Sequence, residues 1–151
     1  MQRIKGYHAH VYFDASTLDQ ARALCEEAAQ LFPLKMGRVH QRPVGPHPDW
    51  SCQLAFDPQY IGVVLPWLAL NRKGLVIFLH PETGDDLIDH TEHAIWMGAV
   101  RPLNLSAFKA KAGPTNITGE SLLKASAIRI TSLPAKDRSA KNEFSRLAWP
   151  F

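Results

Sequence analysis

Between Gly6 and Phe13 the chain alternates. Ala9, Val11 and Phe13 fall on one side, and His8, His10 and Tyr12 on the other. A period of two in aromatic and β-branched residues predicts a strand with one face on a core. Asp14-Ala15-Ser16-Thr17 then offers helix N-cap candidates. Leu18, Ala21, Leu24, Cys25, Ala28, Ala29 and Leu31 follow at helical spacing, so an amphipathic helix is expected over 15–32, ending before Pro33. Residues 36–44, with Val39 and Val44 as their apolar members, predict a second strand that gives way to the turn Gly45-Pro46-His47-Pro48. Cys52, Leu54 and Phe56 alternate as a third strand. Gln59 to Asn71 suits a second helix that Pro66 is expected to kink or divide. Leu75–Leu79 is an apolar fourth strand running into His80-Pro81.

The order β-α-β-β-α-β predicts an α+β, ferredoxin-like fold, with two helices over one face of a four-stranded antiparallel sheet. In the expected spatial order 4-1-3-2, strands 1 and 3 run parallel, strand 4 antiparallel to strand 1, and strand 2 antiparallel to strand 3. After Gly98 the pattern weakens, and 121–133 reads equally as helix or strand. The chain therefore divides into a ferredoxin-like domain, 1–105, and a C-terminal extension, 106–151.

Composition adds bounds. At 151 residues the chain fits one core-bearing domain, and 46% hydrophobic with 21% charged residues is ordinary for a globular protein. The longest apolar run, Ile61 to Leu70, contains Pro66 and is too short to cross a bilayer. No charged stretch followed by an apolar one opens the sequence, so no signal peptide is expected. Cys25 and Cys52 make neither a disulfide framework nor a paired metal motif, and each reads as a small buried apolar residue. A reducing, cytoplasmic setting follows as the default. The net charge of +3 divides unevenly: residues 1–102 carry −2 and residues 103–151 carry +5. The basic residues of the tail are scattered, without an Arg-rich block or an aromatic platform, which suits a solvated surface better than nucleic acid.

The histidines carry the candidate chemistry. His8 and His10 begin strand 1, His80 ends strand 4, and His47 follows strand 2, so the expected topology brings all four to one end of the sheet. His8 and His10 also share the face opposite Ala9, Val11 and Phe13. Neutral imidazoles converging on one point are what a divalent transition metal requires. Carboxylates at Glu82, Asp85, Asp86, Asp89 and Glu92 leave a two-His-one-carboxylate set open beside an all-His one. His40 and His93 read as surface histidines. His90 follows Asp89 and is a candidate acid or base, with Trp96 packing on the sheet beyond it. Arg38 and Arg42 share parity with His40 on strand 2, where they face a ligand carboxylate or guard an edge strand.

The blocks YHAHVYF (7–13), GPHP (45–48), LPWLALNR (65–72), FLHPETGD (78–85) and DHTEHAIWMG (89–98) resemble the DOPA 4,5-dioxygenase family. The resemblance covers residues 6 to about 105 and implies a ferredoxin-like fold and extradiol cleavage of a catechol by non-haem iron(II). It places the family's histidines on His8, His10, His47, His80 and His90. On this reading His10, His47 and His80 are the first choices as metal ligands. His8 serves as ligand or acid–base residue, and His90 and Tyr12 act on the substrate. Arg38, Arg42 and Trp96 are the substrate-binding candidates. Fe(II) is the expected cofactor, with zinc or another divalent ion able to take its place in a purified sample. The expected partners are a catechol such as DOPA or a related dihydroxyphenyl acid, O2, and a second copy of the chain covering the open sheet face. The alternative is a metal- or small-molecule-binding ferredoxin-like protein without turnover. A nucleic-acid-binding module needs aromatic and basic residues on the open face, and strand 3 places Gln53 and Ala55 there.

Overall fold

The alternation read between residues 6 and 13 becomes the central strand of a computed structural model that describes residues 3–109. Strand β1 (Gly6–Phe13) turns Ala9, Val11 and Phe13 into the core. Helix α1 (Leu18–Leu31) packs Ala21, Leu24, Cys25 and Ala28 against them. The helix starts later than its sequence pattern allowed. Residues 14–17 form a turn in which the Asp14 carboxylate accepts from the backbone N–H groups of Ser16 and Thr17, at 2.8 and 3.1 Å. An aspartate that satisfies the turn ahead of a helix defers its first helical residue.

Strand β2 (Leu34–His40) is shorter than the expected 36–44, and β3 (Trp50–Phe56) returns beside it. A 3-10 turn, Pro58–Tyr60, leads into α2 (Ile61–Asn71), which buries Val64 and Leu68. Pro66 does not divide this helix. Its ring lies on the exposed side, as does Gly62 four residues earlier, so the carbonyl that loses a helical partner can turn to water. Strand β4 extends over Val76–Glu82, which carries His80 inside the strand. Helix α3 (Asp86–His90), the short strand β5 (Ile95–Met97) and helix α4 (Ser106–Lys109) complete the described residues.

The sheet has five strands in the order β2-β3-β1-β4-β5, so the four expected strands keep their order and β5 extends the β4 edge. One orientation is corrected. β1 and β3 run antiparallel, not parallel, with Tyr7 opposite Phe56 and Phe13 opposite Trp50. The hairpin β2–β3 and the crossover β1-α1-β2 together demand it, because β3 lies between two strands that share a direction. All pairings in the sheet are antiparallel. The consequence is large: the end of β2 lies beside the end of β1, because His40 pairs with Ser51 and Ser51 with Tyr12. His47 therefore cannot reach the histidines by strand direction. It reaches them because the loop after β2 folds back, through Gly45 at φ 61° and a turn closed by His47 N–H to the Val44 carbonyl at 3.2 Å.

Cys25 and Cys52 are both free and buried. Among the described residues no helix is long and apolar enough to cross a membrane. The reading of 121–133 lies outside the described residues, as does the extension beyond Lys109.

Candidate metal centre

Strand pairing alone juxtaposes two imidazoles. His8 and His80 are opposite partners on β1 and β4, and His10 faces Phe78 two pairs further along. Residues two apart on a strand share a face, so His8, His10, Phe78 and His80 stand together on the side away from α1 and α2. Each of His8, His10 and His80 offers one ring nitrogen, and these lie within 4.8 Å of one another. The Nε2 atoms of His10 and His80 are 3.3 Å apart, with both residues buried.

Hydrogen bonds fix the protons. The Pro81 carbonyl can only accept, so His80 Nδ1 donates to it, at 2.9 Å, and the neutral ring keeps a bare lone pair on Nε2. By the same argument His90 Nδ1 donates to the Asp86 carbonyl at 2.7 Å and leaves its Nε2 free of hydrogen. Backbone carbonyls that set the tautomer in this way are the usual support of metal-binding histidines.

Burial also sets the charge. It pushes His80 down to about 4, reinforced by His90 and opposed by the bond to Pro81. It pushes His47 down to about 4 as well, with His90 and His8 adding to the effect. His10 is held well below the ordinary imidazole range, first by burial and then by His47, His80, His8 and His90. His8 and His90 are lowered by burial too, with Glu82 and Asp86 opposing it at His8 and Asp86 opposing it at His90. The five imidazoles are neutral at pH 7, and the convergent trio His8, His10 and His80 is a nitrogen donor set that fits a borderline divalent metal such as iron(II) or zinc. The 3.3 Å between two ring nitrogens also suits neighbouring ligands held about 2.0–2.1 Å from one ion.

The remaining candidates fall into place around this trio. His47, expected among the ligands, sits over His10 with ring centroids 3.9 Å apart, while its Nδ1 meets the Tyr12 hydroxyl at 2.7 Å. Burial, then Asp49, raises the Tyr12 pKa, against a smaller pull from Arg101. The phenol thus stays protonated, and in the tautomer in which it donates to Nδ1 the His47 proton sits on Nε2. Tyr12 itself lies behind His47 and positions it. His90 arrives from the end of α3, its ring centroid 3.9 Å from that of His80. Asp89 does not orient it. Its buried carboxylate instead accepts from the Thr83 N–H and hydroxyl, both at 2.7 Å, and faces His93 at 3.1 Å. Glu82 lies 3.3 Å from His8 Nε2, and Asp85 caps α3.

Trp96 pairs with Phe78 across β4 and β5, their rings tilted by 35° with centroids 4.5 Å apart. Arg38 lines a cavity beside His10 and His47. Arg42 does not share its strand, because β2 ends at His40 and a register shift between Met36 and Val39 interrupts the parity on which their pairing rested. The sequence reading missed the clamp on the His47 loop. Arg101 holds Asp49 through two bonds of 2.7 and 2.9 Å, and Asn104 N–H donates to the Pro46 carbonyl at 2.8 Å. It also missed Phe108 of α4, whose ring lies 4.6 Å from that of His90. These partners are some 50 residues or more from the loop, and no local pattern announces them. A cavity of about 440 Å3 opens over the imidazoles, with Gln53, Asp86 and Phe108 among its walls.

Known proteins share this arrangement of chain. A crystal structure at 1.46 Å of a proposed dioxygenase from Nostoc punctiforme superposes with a TM-score of 0.71 at 44% identity, covering 72% of this chain and 95% of that one. A DOPA 4,5-dioxygenase from Amanita muscaria is 30% identical over 118 residues, 72% of this chain and 52% of its own length. An uncharacterized 21.2 kDa protein from Botryotinia fuckeliana is 37% identical over 115 residues, 68% of this chain and 63% of its own. The chain thus spans between about half and two thirds of these two curated relatives. Residues 7–107, which contain β1 from Tyr7 onward and every histidine described above, match the model of the Dopa 4,5-dioxygenase family, and the chain belongs to that family.

Proposed function

We propose that this protein is an extradiol-type ring-cleaving dioxygenase that acts on a catechol such as DOPA or a related dihydroxyphenyl acid with a His-bound non-haem iron(II). The observation that carries the reading is the convergence of His8, His10 and His80 within 4.8 Å, on the floor of a cavity large enough for a substituted catechol. Family membership supports oxygenase chemistry. The three imidazoles would hold the metal, which would supply activation of the catechol and of O2.

The protein's own part is proton handling and exclusion of water. His90 Nε2 carries a lone pair beside His80 and takes up a catechol proton. His47 Nε2–H points the other way in function, donating to an oxygen of the substrate while Tyr12 keeps its tautomer. Phe108 and Pro46 close two sides of the cavity.

Anaerobic calorimetry with Fe(II) is expected to show one ion per chain, and alanine at His10 or His80 is expected to weaken that binding at least about 100-fold. Addition of O2 and L-DOPA or 3,4-dihydroxyphenylacetate then yields a yellow ring-opened product that depends on iron. Stoichiometric metal binding with silence across a catechol panel would leave a binder without turnover, and unchanged binding in either alanine variant would sink the ligand assignment.

A further inference from the structure

The cavity over the imidazoles has a neighbour on the far side of His47. A second cavity of about 320 Å3 lies on the β2 side, and the two share His10, Pro46, His47 and Gln53 as walls. The strand register explains which side chain reaches it. Met36 opposes Leu54 and Val39 opposes Cys52, all on the core side, so Gly37 and Arg38 together oppose the single residue Gln53. Two residues against one is a β-bulge, which keeps both flanking apolar side chains in the core and re-aims the residue between them. Gly37 serves the close approach, since a Cβ there would lie 3.3 Å from the Gln53 carbonyl oxygen. Across the open face the row therefore runs Phe78, His10, Gln53, Arg38. Two interstrand spacings put the backbones of His10 and Arg38 about 10 Å apart.

Charge distinguishes the two neighbouring cavities. On the β4 side Glu82, Asp86 and Asp89 outnumber the one lysine, Lys5. On the β2 side Arg38 is the sole Lys, Arg, Asp or Glu among the described lining residues. We infer that Arg38 anchors the anionic side-chain group of a catechol whose ring lies over the imidazoles, and thereby sets a preference for acids over neutral or cationic catechols. This rests on the function proposed above. A guanidinium meets a carboxylate through two parallel N–H bonds. Because Arg38 sits at an exposed rim, its contribution is sensitive to salt.

The test is anaerobic titration of the iron-loaded protein, followed by calorimetry, with 3,4-dihydroxyphenylacetate, its neutral counterpart 4-ethylcatechol, and cationic dopamine. The wild type is expected to bind the acid about tenfold more tightly than 4-ethylcatechol, with dopamine weakest. Arg38→Gln removes that preference while leaving 4-ethylcatechol within about twofold, Arg38→Lys keeps part of it, and rising ionic strength shrinks it in the wild type alone. No preference in the wild type, no binding of the acid, or a preference that survives Arg38→Gln overturns the assignment. So does its loss in Lys5→Gln instead. A preference lost in Arg38→Gln without any oxygenation by the wild type would uphold Arg38 and reject the dioxygenase reading. Oxygenation of acid and neutral catechols with the same KM ratio in wild type and Arg38→Gln would do the reverse.

Discussion

At the scale of single residues the site is a problem in proton placement. Each imidazole has two nitrogens, and what it can do depends on which one a neighbour has claimed. Pro81 and Asp86 claim Nδ1 of His80 and His90 through carbonyls, and Tyr12 claims Nδ1 of His47 through a hydroxyl. The first two turn a lone pair into the cavity, and the third turns a donor in the tautomer that accepts from Tyr12. Replacing Tyr12 by Phe leaves His47 Nδ1 buried without that partner. The fold is expected to lose about 1 kcal/mol, measured by urea denaturation of the metal-free protein. The same change frees the His47 tautomer. The NMR signals of its two ring nitrogens, distinct in the wild type, are therefore expected to move toward exchange. An unchanged nitrogen spectrum would mean that Tyr12 does not set the tautomer.

At the scale of elements the sheet supplies position and the connections supply closure. β1 and β4 deliver three imidazoles by register, while the His47 loop, α3 and α4 lie over the face they share. The helices on the other face do the stabilising, and α2 does so with a proline in its sixth position. Pro66 removes one helical hydrogen bond and leaves the Gly62 carbonyl to solvent on the exposed side. Pro66→Ala restores the N–H toward Gly62 and is expected to raise stability by roughly 1–3 kcal/mol, read from the urea midpoint. A neutral or destabilising result would mean that Pro66 contributes packing in place of the bond it removes.

For the molecule as a whole, the cost of assembling the centre appears as a dependence on pH. Unfolded histidines titrate near 6.5, whereas folded His47 and His80 titrate at about 4 and His10 lies well below 6.5. Above pH 6.5 both states are neutral and these residues give no slope. Below it the unfolded chain binds protons that the folded chain refuses, so stability falls steadily until His47 and His80 protonate in the folded state near pH 4. Urea midpoints of metal-free protein are expected to drop between pH 7 and pH 5, before most carboxylates titrate. Alanine at His10 flattens part of that slope, and a level midpoint across the interval would contradict the burial assigned to the cluster. A partner copy over the open face, proposed on the logic of an unroofed sheet, has less to cover around His10 and His80 than a bare sheet would offer. Light scattering at micromolar concentration checks the dimer mass.

The sequence alone determined the periodicities, and through them the order of strands and helices, the core side of β1, and the sharing of one face by His8 and His10. Local sterics and burial write these into neighbouring residues, so they are legible without a partner. It also carried the family blocks, from which the set of five histidines was readable. The direction of β3 is implied by its hairpin with β2 and by the β1-α1-β2 crossover, but only the tertiary structure decided the registers between distant strands, because such pairing leaves no mark at short range. With those registers came the fold-back of the His47 loop, its clamp by Arg101 and Asn104, and the bulge that parts Arg38 from Arg42. Which nitrogen of His80 and of His90 faces the cavity was decided there too, since a tautomer depends on a hydrogen-bond partner that only the folded chain brings within reach.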